Sequence, residues 1–288
     1  MKKYKPHFFL FLTIIFWGSS FPVLDNLLTV FNPVELALTR FIFPACLSLS
    51  FIIIFKKFID KEDFFIFFLS GFLGIFCFSL FINLGLQTMS VGAGSFIVNC
   101  NPLFASLIGV YIFKQNLKPR FLWGIFFCIF GVFVISMERN QNFNFDIGSI
   151  YLLLAAISIA FYFHLVKLLV NKYGSLTTFC YTIVLGTIPM IFWLHRSFNI
   201  FLHENLEIKF NIIWLSLVST LIPYYTWNYS VLYFGANKAS FFLFLIPIVA
   251  ILIDFIFFNK IPTFYTLLGG FFIITTMTRI MFLDYKDK

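Results

Sequence analysis

Arg40 is the residue of this chain with the most chemistry to explain. It interrupts the apolar run LALTRFIFPACLSL (36–49), and its guanidinium stays charged at any accessible pH. A charge in hydrocarbon costs a few kcal/mol or more (~2.5 upward), so it has to face a wet cavity, a counter-ion or an anionic ligand. Asp25 and Asp254 also fall inside apolar runs. Either could pair with Arg40, or Asp254 could relay a proton. These two carboxylates are the candidates for proton or ion coupling. Further polar or aromatic residues matter in such surroundings only if they point inward, because polar groups in lipid need partners. Among them, Trp17, Asn83, Asn99, Asn101, Tyr162, His164, Tyr224, Trp227 and Asn228 join Arg40 as candidate contacts for a small solute. Together they suggest an aromatic-walled cavity with amide hydrogen-bonders. Taken singly, such a residue is more often glue between helices or, for Trp and Tyr, an interfacial residue.

Other chemistries find little support. His195, His203, Glu204 and Glu207 cluster in one connection but lack convergent metal-ligand spacing. The five cysteines are isolated within apolar runs and read as small fillers. There is no H-E-x-x-H, no G-x-G-D and no Walker sequence, which argues against an intramembrane protease and against ATP hydrolysis by a P-loop. No cofactor or metal is expected. A channel would want a repeated polar filter, which is absent.

The elements that must hold these residues are apolar and long. Hydrophobic residues make up 61% and charged residues 11% of the chain, and 47 of its 288 residues are Phe. A helix needs about 20 mostly apolar residues to cross a bilayer. Ten windows qualify: 8–28, 34–55, 64–86, 90–113, 121–137, 147–168, 175–194, 210–233, 239–258 and 264–282. The runs are continuous rather than alternating, which favours helices over a transmembrane barrel. The predicted fold is therefore an all-α integral membrane protein of ten transmembrane helices. The Met-Lys-Lys-Tyr-Lys start resembles a signal-peptide n-region, but the apolar run behind it is long and better read as the first span.

The net charge of +8 is distributed by side. With the N-terminus in the cytoplasm, fifteen Lys and Arg fall on the inner side and four (Arg139, Arg196, Lys209, Lys260) on the outer. Such a bias follows the positive-inside rule and predicts both termini inside. Basic charge then reports topology and contact with anionic lipid, not a nucleic-acid partner. The AT-rich flavour of the composition points to a bacterial inner membrane. The expected partners are a small-molecule substrate and the bilayer, with the chain as a monomer or homodimer.

Sliding the chain by 145 residues sets SFIVNCNPLFASLIGVYIF (95–113) over SFFLFLIPIVAILIDFIFF (240–258). Ser95, Pro102 and Ala105 fall on Ser240, Pro247 and Ala250, and Gly124 falls on Gly269. A unit of five spans is odd, so the second copy enters the membrane inverted. The expected units are 1–140 and 145–284. Inverted repeats are a common architecture of secondary transporters, with the site at the repeat interface. Proline breaks helices, and the paired Pro102 and Pro247 are the candidate hinges.

TIIFWGSSFPV (13–23), the Thr-Arg-Phe of residues 39–41, the stretch 85–136 and its counterpart 232–270 resemble the EamA-like branch of the drug/metabolite transporter superfamily. One departure is that the Gly-Glu pair common after the fourth and ninth spans is replaced by Lys114-Gln115 and Asn259-Lys260. The resemblance implies a ten-span carrier for small metabolites; with the polar and aromatic candidates above, the expected solute is an amino acid or related zwitterionic or heterocyclic compound, moved by alternating access. A flippase for a lipid-linked solute is the alternative within the same superfamily, because substrate does not transfer with fold.

Overall fold

A computed structural model describes residues 5–112, 120–137, 146–235, 239 and 242–286. Lys2, Lys3, Lys114, Gln115, Arg139 and Ser240, named above, lie outside these residues, as do Lys118, Lys238 and Lys288 of the inner-side count. Among the described residues every regular element is helical. They run α1 Lys5–Leu27, α2 Pro33–Ile54, α3 Phe64–Gly71, α4 Phe78–Leu86, α5 Val91–Val98, α6 Asn101–Tyr111, α7 Arg120–Ser136, α8 Ile147–Thr187, α9 Leu194–His203, α10 Leu206–Ile213, α11 Ile222–Phe234, α12 Ile246–Phe258 and α13 Phe264–Lys286. Among the described residues, six stretches are long and apolar enough to cross a membrane by length and composition. They are Lys5–Leu27, Pro33–Ile54, Lys61–Leu86, Val91–Tyr111, Ile147–His203 and Leu206–Phe234, with shorter apolar helices at Phe242–Phe258 and Phe264–Thr276. Large apolar side chains such as Phe11, Ile54, Trp123, Phe192, Phe257 and Phe271 stand on the exterior, as a surface facing lipid requires.

Local signals set the helix starts. Asn32 caps α2: its Oδ1 accepts from the Glu35 amide at 3.0 Å while Glu35 Oε2 accepts from the Asn32 amide at 3.1 Å. Asp146 caps α8 and also accepts from Thr88 at 2.6 Å. At Gly174 the backbone takes φ 79°, ψ 165°, a conformation that favours glycine, and α8 there divides into segments 147–173 and 175–187. The stretch from His195 to Lys209, expected as a loop, is instead largely helical in α9 and α10, with only Glu204 and Asn205 between them. The reason is an apolar stripe of Leu194, Phe198, Phe201 and Leu202 at helical spacing. Asn205 then caps the next helix, accepting from the Ile208 amide at 2.9 Å.

Several helices are broken. π-helical turns occupy Phe72–Cys77, between α3 and α4, and Trp214–Leu221, between α10 and α11. A break at Asn99–Cys100 separates α5 from α6, and a 3-10 turn, Phe242–Leu245, precedes α12. Pro102 and Pro247 both lie in the first turn after their break, where a missing N–H costs least. α7 and α13 meet at Gly131 and Gly269, so close that a Cβ on Gly269 would lie 2.5 Å from the Gly131 carbonyl. Small residues let membrane helices approach in this way.

Candidate functional site

Two of the breaks, at Asn99–Cys100 and Phe242–Leu245, meet at a small cavity. Trp17 and Ser20 of α1, Arg40 of α2, Asn99 and Asn101 at the α5–α6 break, Leu243 just before α12 and Ile246 at its start all line it. Its volume is about 30 Å³, room for about two waters. Four of the expected contacts, Trp17, Arg40, Asn99 and Asn101, are thereby brought together. Asn99 spends its amide on the Ser95 carbonyl of α5 at 2.7 Å, and Asn101, at the start of α6, spends its own across the break on the Val98 carbonyl at 3.0 Å. The Asn101 carbonyl oxygen is buried without a hydrogen-bond partner among the described residues.

Arg40 is 2% exposed. Its Nε donates to Thr220 Oγ1 at 2.9 Å and its Nη2 to the Ser219 carbonyl at 3.1 Å. Both acceptors belong to the π-helical turn Trp214–Leu221. A π turn displaces the regular hydrogen-bond ladder, which lets the Ser219 carbonyl serve a side chain. Among the described residues no carboxylate lies within ion-pair distance of Arg40. The two candidate counter-ions are elsewhere: Asp25 pairs with Lys260, and Asp254 lies on α12 near the same end of the bundle. Glu35, 1% exposed, is paired at 2.7 Å with Arg196.

An aromatic wall stands behind the cavity. The Trp17 ring meets Tyr224 edge-on at 5.4 Å and tilts against Trp227 at 5.6 Å. Tyr162 meets Tyr224 at 6.1 Å, and Phe163 packs on Trp227 at 4.4 Å. Tyr224 donates to the Gly74 carbonyl in the first π turn at 3.1 Å, and Tyr162 donates to Asn228 at 3.5 Å. Tyr162, Tyr224, Trp227 and Asn228 are fully buried, so they meet a solute only when the helices part. The Trp227 indole N–H and the Asn228 amide nitrogen have no partner among the described residues. Asn83 and His164 do not line the cavity. Asn83 donates to the Pro33 carbonyl at 2.8 Å, tying α4 to the start of α2, and His164 is buried on the 147–173 segment.

Ser219, Thr220 and Gly74 complete the site and were not among the residues singled out from sequence. The only sequence signal for the first two is the Ser-Thr pair just before Pro223. No motif marks a π turn.

The EamA-like transporter family matches residues 5–137 and again residues 146–282. An uncharacterized transporter, YdfC, from Bacillus subtilis is 30% identical over 90% of this chain and 85% of its own. An uncharacterized transporter from Archaeoglobus fulgidus is 29% identical over 84% and 86%. A probable terminal-alkyne amino-acid exporter from Streptantibioticus cattleyicolor is 22% identical over 94% and 91%. A crystal structure with 13% identity aligns over 98% of either chain with a TM-score of 0.70, a likeness of fold.

Proposed function

The chain belongs to the EamA-like transporter family, and we propose that it is a secondary carrier that moves a small zwitterionic or heterocyclic metabolite by alternating access. It is a multi-pass membrane protein. The observation that carries the reading is Arg40: a permanent cation, buried in a cavity between broken helices, with hydroxyl and carbonyl acceptors but, among the described residues, no carboxylate. A substrate carboxylate would supply the missing charge, with the ring of Trp17 and the amides of Asn99 and Asn101 around it. The name of the Streptantibioticus relative supports an amino acid or a close analogue.

In this reading the chain crosses the membrane ten times, as two inverted five-helix units, 1–140 and 145–284. Three observations support it. The family matches twice. Gly174 divides one long helical stretch into the segments 147–173 and 175–187, as two separate crossings would require. Val98 and Leu243, and likewise Asn101 and Ile246, are 145 residues apart and line one cavity. The two units rock about this cavity, with Pro102 and Pro247 as hinges. The bias of Lys and Arg supports a bacterial inner membrane with both termini cytoplasmic.

Thermal unfolding of the detergent-purified protein against a panel of amino acids tests the substrate class, because a ligand bound to the native state raises its melting temperature. A hit that disappears in Arg40→Gln supports the reading. A hit indifferent to Arg40→Gln counts against it. The flippase reading is favoured by one feature, an apolar groove of about 450 Å³ between α2, α9 and the 206–221 stretch, walled by Ile42, Phe43, Phe198 and Leu217. Stabilisation by a lipid-linked sugar in place of free metabolites would support that alternative.

A further inference from the structure

A second cavity, of about 340 Å³, lies where the end of α1 meets the start of α5 and the end of α12. Asp25, Ser90, Gly92, Ile251, Asp254 and Lys260 contribute to its wall. Asp254 is 8% exposed, and its Oδ1 is buried with no hydrogen-bond partner among the described residues. The nearby ammonium is committed elsewhere. Lys260 pairs with Asp25, and its backbone N–H turns back to the Asp254 carbonyl at 3.3 Å across the left-handed Asn259. The wall thus holds two carboxylates and one ammonium, with neutral residues otherwise.

We propose that this cavity is a docking site for a primary ammonium group of a small organic solute, with Asp254 as its counter-ion. Lys260 on Asp25 shows the same carboxylate–ammonium chemistry satisfied at the same wall, and Asp254 is the carboxylate without its share. A divalent metal fits poorly, because hard cations demand several oxygen ligands and no group of three His, Cys, Asp or Glu assembles among the described residues. A bare proton would neutralise Asp254 but needs no chamber of this size, which reaches the range of small-molecule pockets. The ammonium site names the substrate class of the carrier proposed above and in that sense rests on it: Arg40 takes the acidic end of a zwitterion, and Asp254 takes the amine at this second station.

Two isosteric probes separate the two stations. Binding of 2-phenylethylammonium and of 3-phenylpropionate is measured by calorimetry on the purified full-length protein. The measurements use choline chloride buffer, with wild type, Asp254→Asn and Arg40→Gln. The amine should bind wild type and weaken by about tenfold or more in Asp254→Asn, while Arg40→Gln leaves it intact. The acid should show the reverse. Amine binding that survives Asp254→Asn overturns the ammonium site. So does failure of the amine to bind while the acid binds through Arg40, which leaves the carrier reading standing. Loss of both probes from wild type removes both. Sodium chloride that displaces the amine through Asp254 at matched concentration would make this an inorganic cation site instead. Should Asp254→Asn not fold, Lys260→Gln carries the test. Freed of its competing ammonium the wall should bind the amine more tightly, and unchanged or weaker binding overturns the proposal.

Discussion

At the scale of single residues, Arg40 decides most. Hydrogen bonds to charged groups contribute about 1.5–3 kcal/mol, so losing one to a substrate carboxylate lowers affinity about ten- to hundredfold. Arg40→Lys should recover little of it, because a lysine ammonium cannot reproduce the fork that meets Thr220 and Ser219. Equal affinity in Arg40→Lys and wild type, measured by equilibrium binding, would mean that charge alone is read. A second residue-level prediction lies beyond the far end of α2. Lys172, foremost, and the Tyr173 hydroxyl hold the Asp60 carboxyl below its ordinary value of 3.8. A carboxylate with a depressed folded value stabilises above its unfolded value and loses that contribution as pH falls through the folded one. The melting temperature of wild type should therefore exceed that of Asp60→Asn by a constant margin near neutrality, and the margin should close below about pH 4. A margin that persists in stronger acid contradicts the assignment. Arg40, Trp17, Asn99 and Asn101 were legible in the sequence because a polar group in an apolar run has few places to go. Asn83 was legible as inward-facing but not as a tie to the Pro33 carbonyl, since sequence does not say which inward group meets a neighbour and which meets a cavity.

At the scale of elements, the π turns are what composition hides. Nothing in the composition of Phe72–Cys77 and Trp214–Leu221 marks a π turn, yet they supply the Gly74 and Ser219 carbonyls that bind Tyr224 and Arg40. The proline-marked breaks were legible in kind, because proline cannot donate within a helix. The start of α9 was not, since a polar-looking connection with an apolar stripe reads as loop until its helical period is counted. Gly74 gives the sharpest element-level prediction. A Cβ there would lie 2.1 Å from Tyr162 Cδ2, inside a fully buried ring. Gly74→Ala should destabilise by about 1–3 kcal/mol through overpacking and weaken substrate binding as Tyr162 leaves Tyr224. Thermal unfolding and binding on the same sample check this, and unchanged stability would show that the turn relaxes freely.

At the scale of the whole molecule, the two ends of the bundle are each tied by ion pairs. Asp25–Lys260 and Glu35–Arg196 hold one end, and Lys172 with Asp60 and Asp63 holds the other. A carrier that alternates has to break one set while keeping the other, with the cavity at Arg40 between them. The helical membrane class was legible from run length alone, and the family from motif stretches in both halves, because both depend on residue type in order along the chain. Depth, pairing and cavity shape depend on which helices meet, and that was not legible. The most direct measurement is counterflow in proteoliposomes: the purified protein is loaded with unlabelled amino acid, and uptake of the labelled compound is followed with no imposed gradient or ATP. Accumulation that is transient, saturable and lost in Arg40→Gln is the expected result for an alternating-access carrier with Arg40 at its site. Uptake that is linear in concentration, or that Arg40→Gln leaves unchanged, would contradict it.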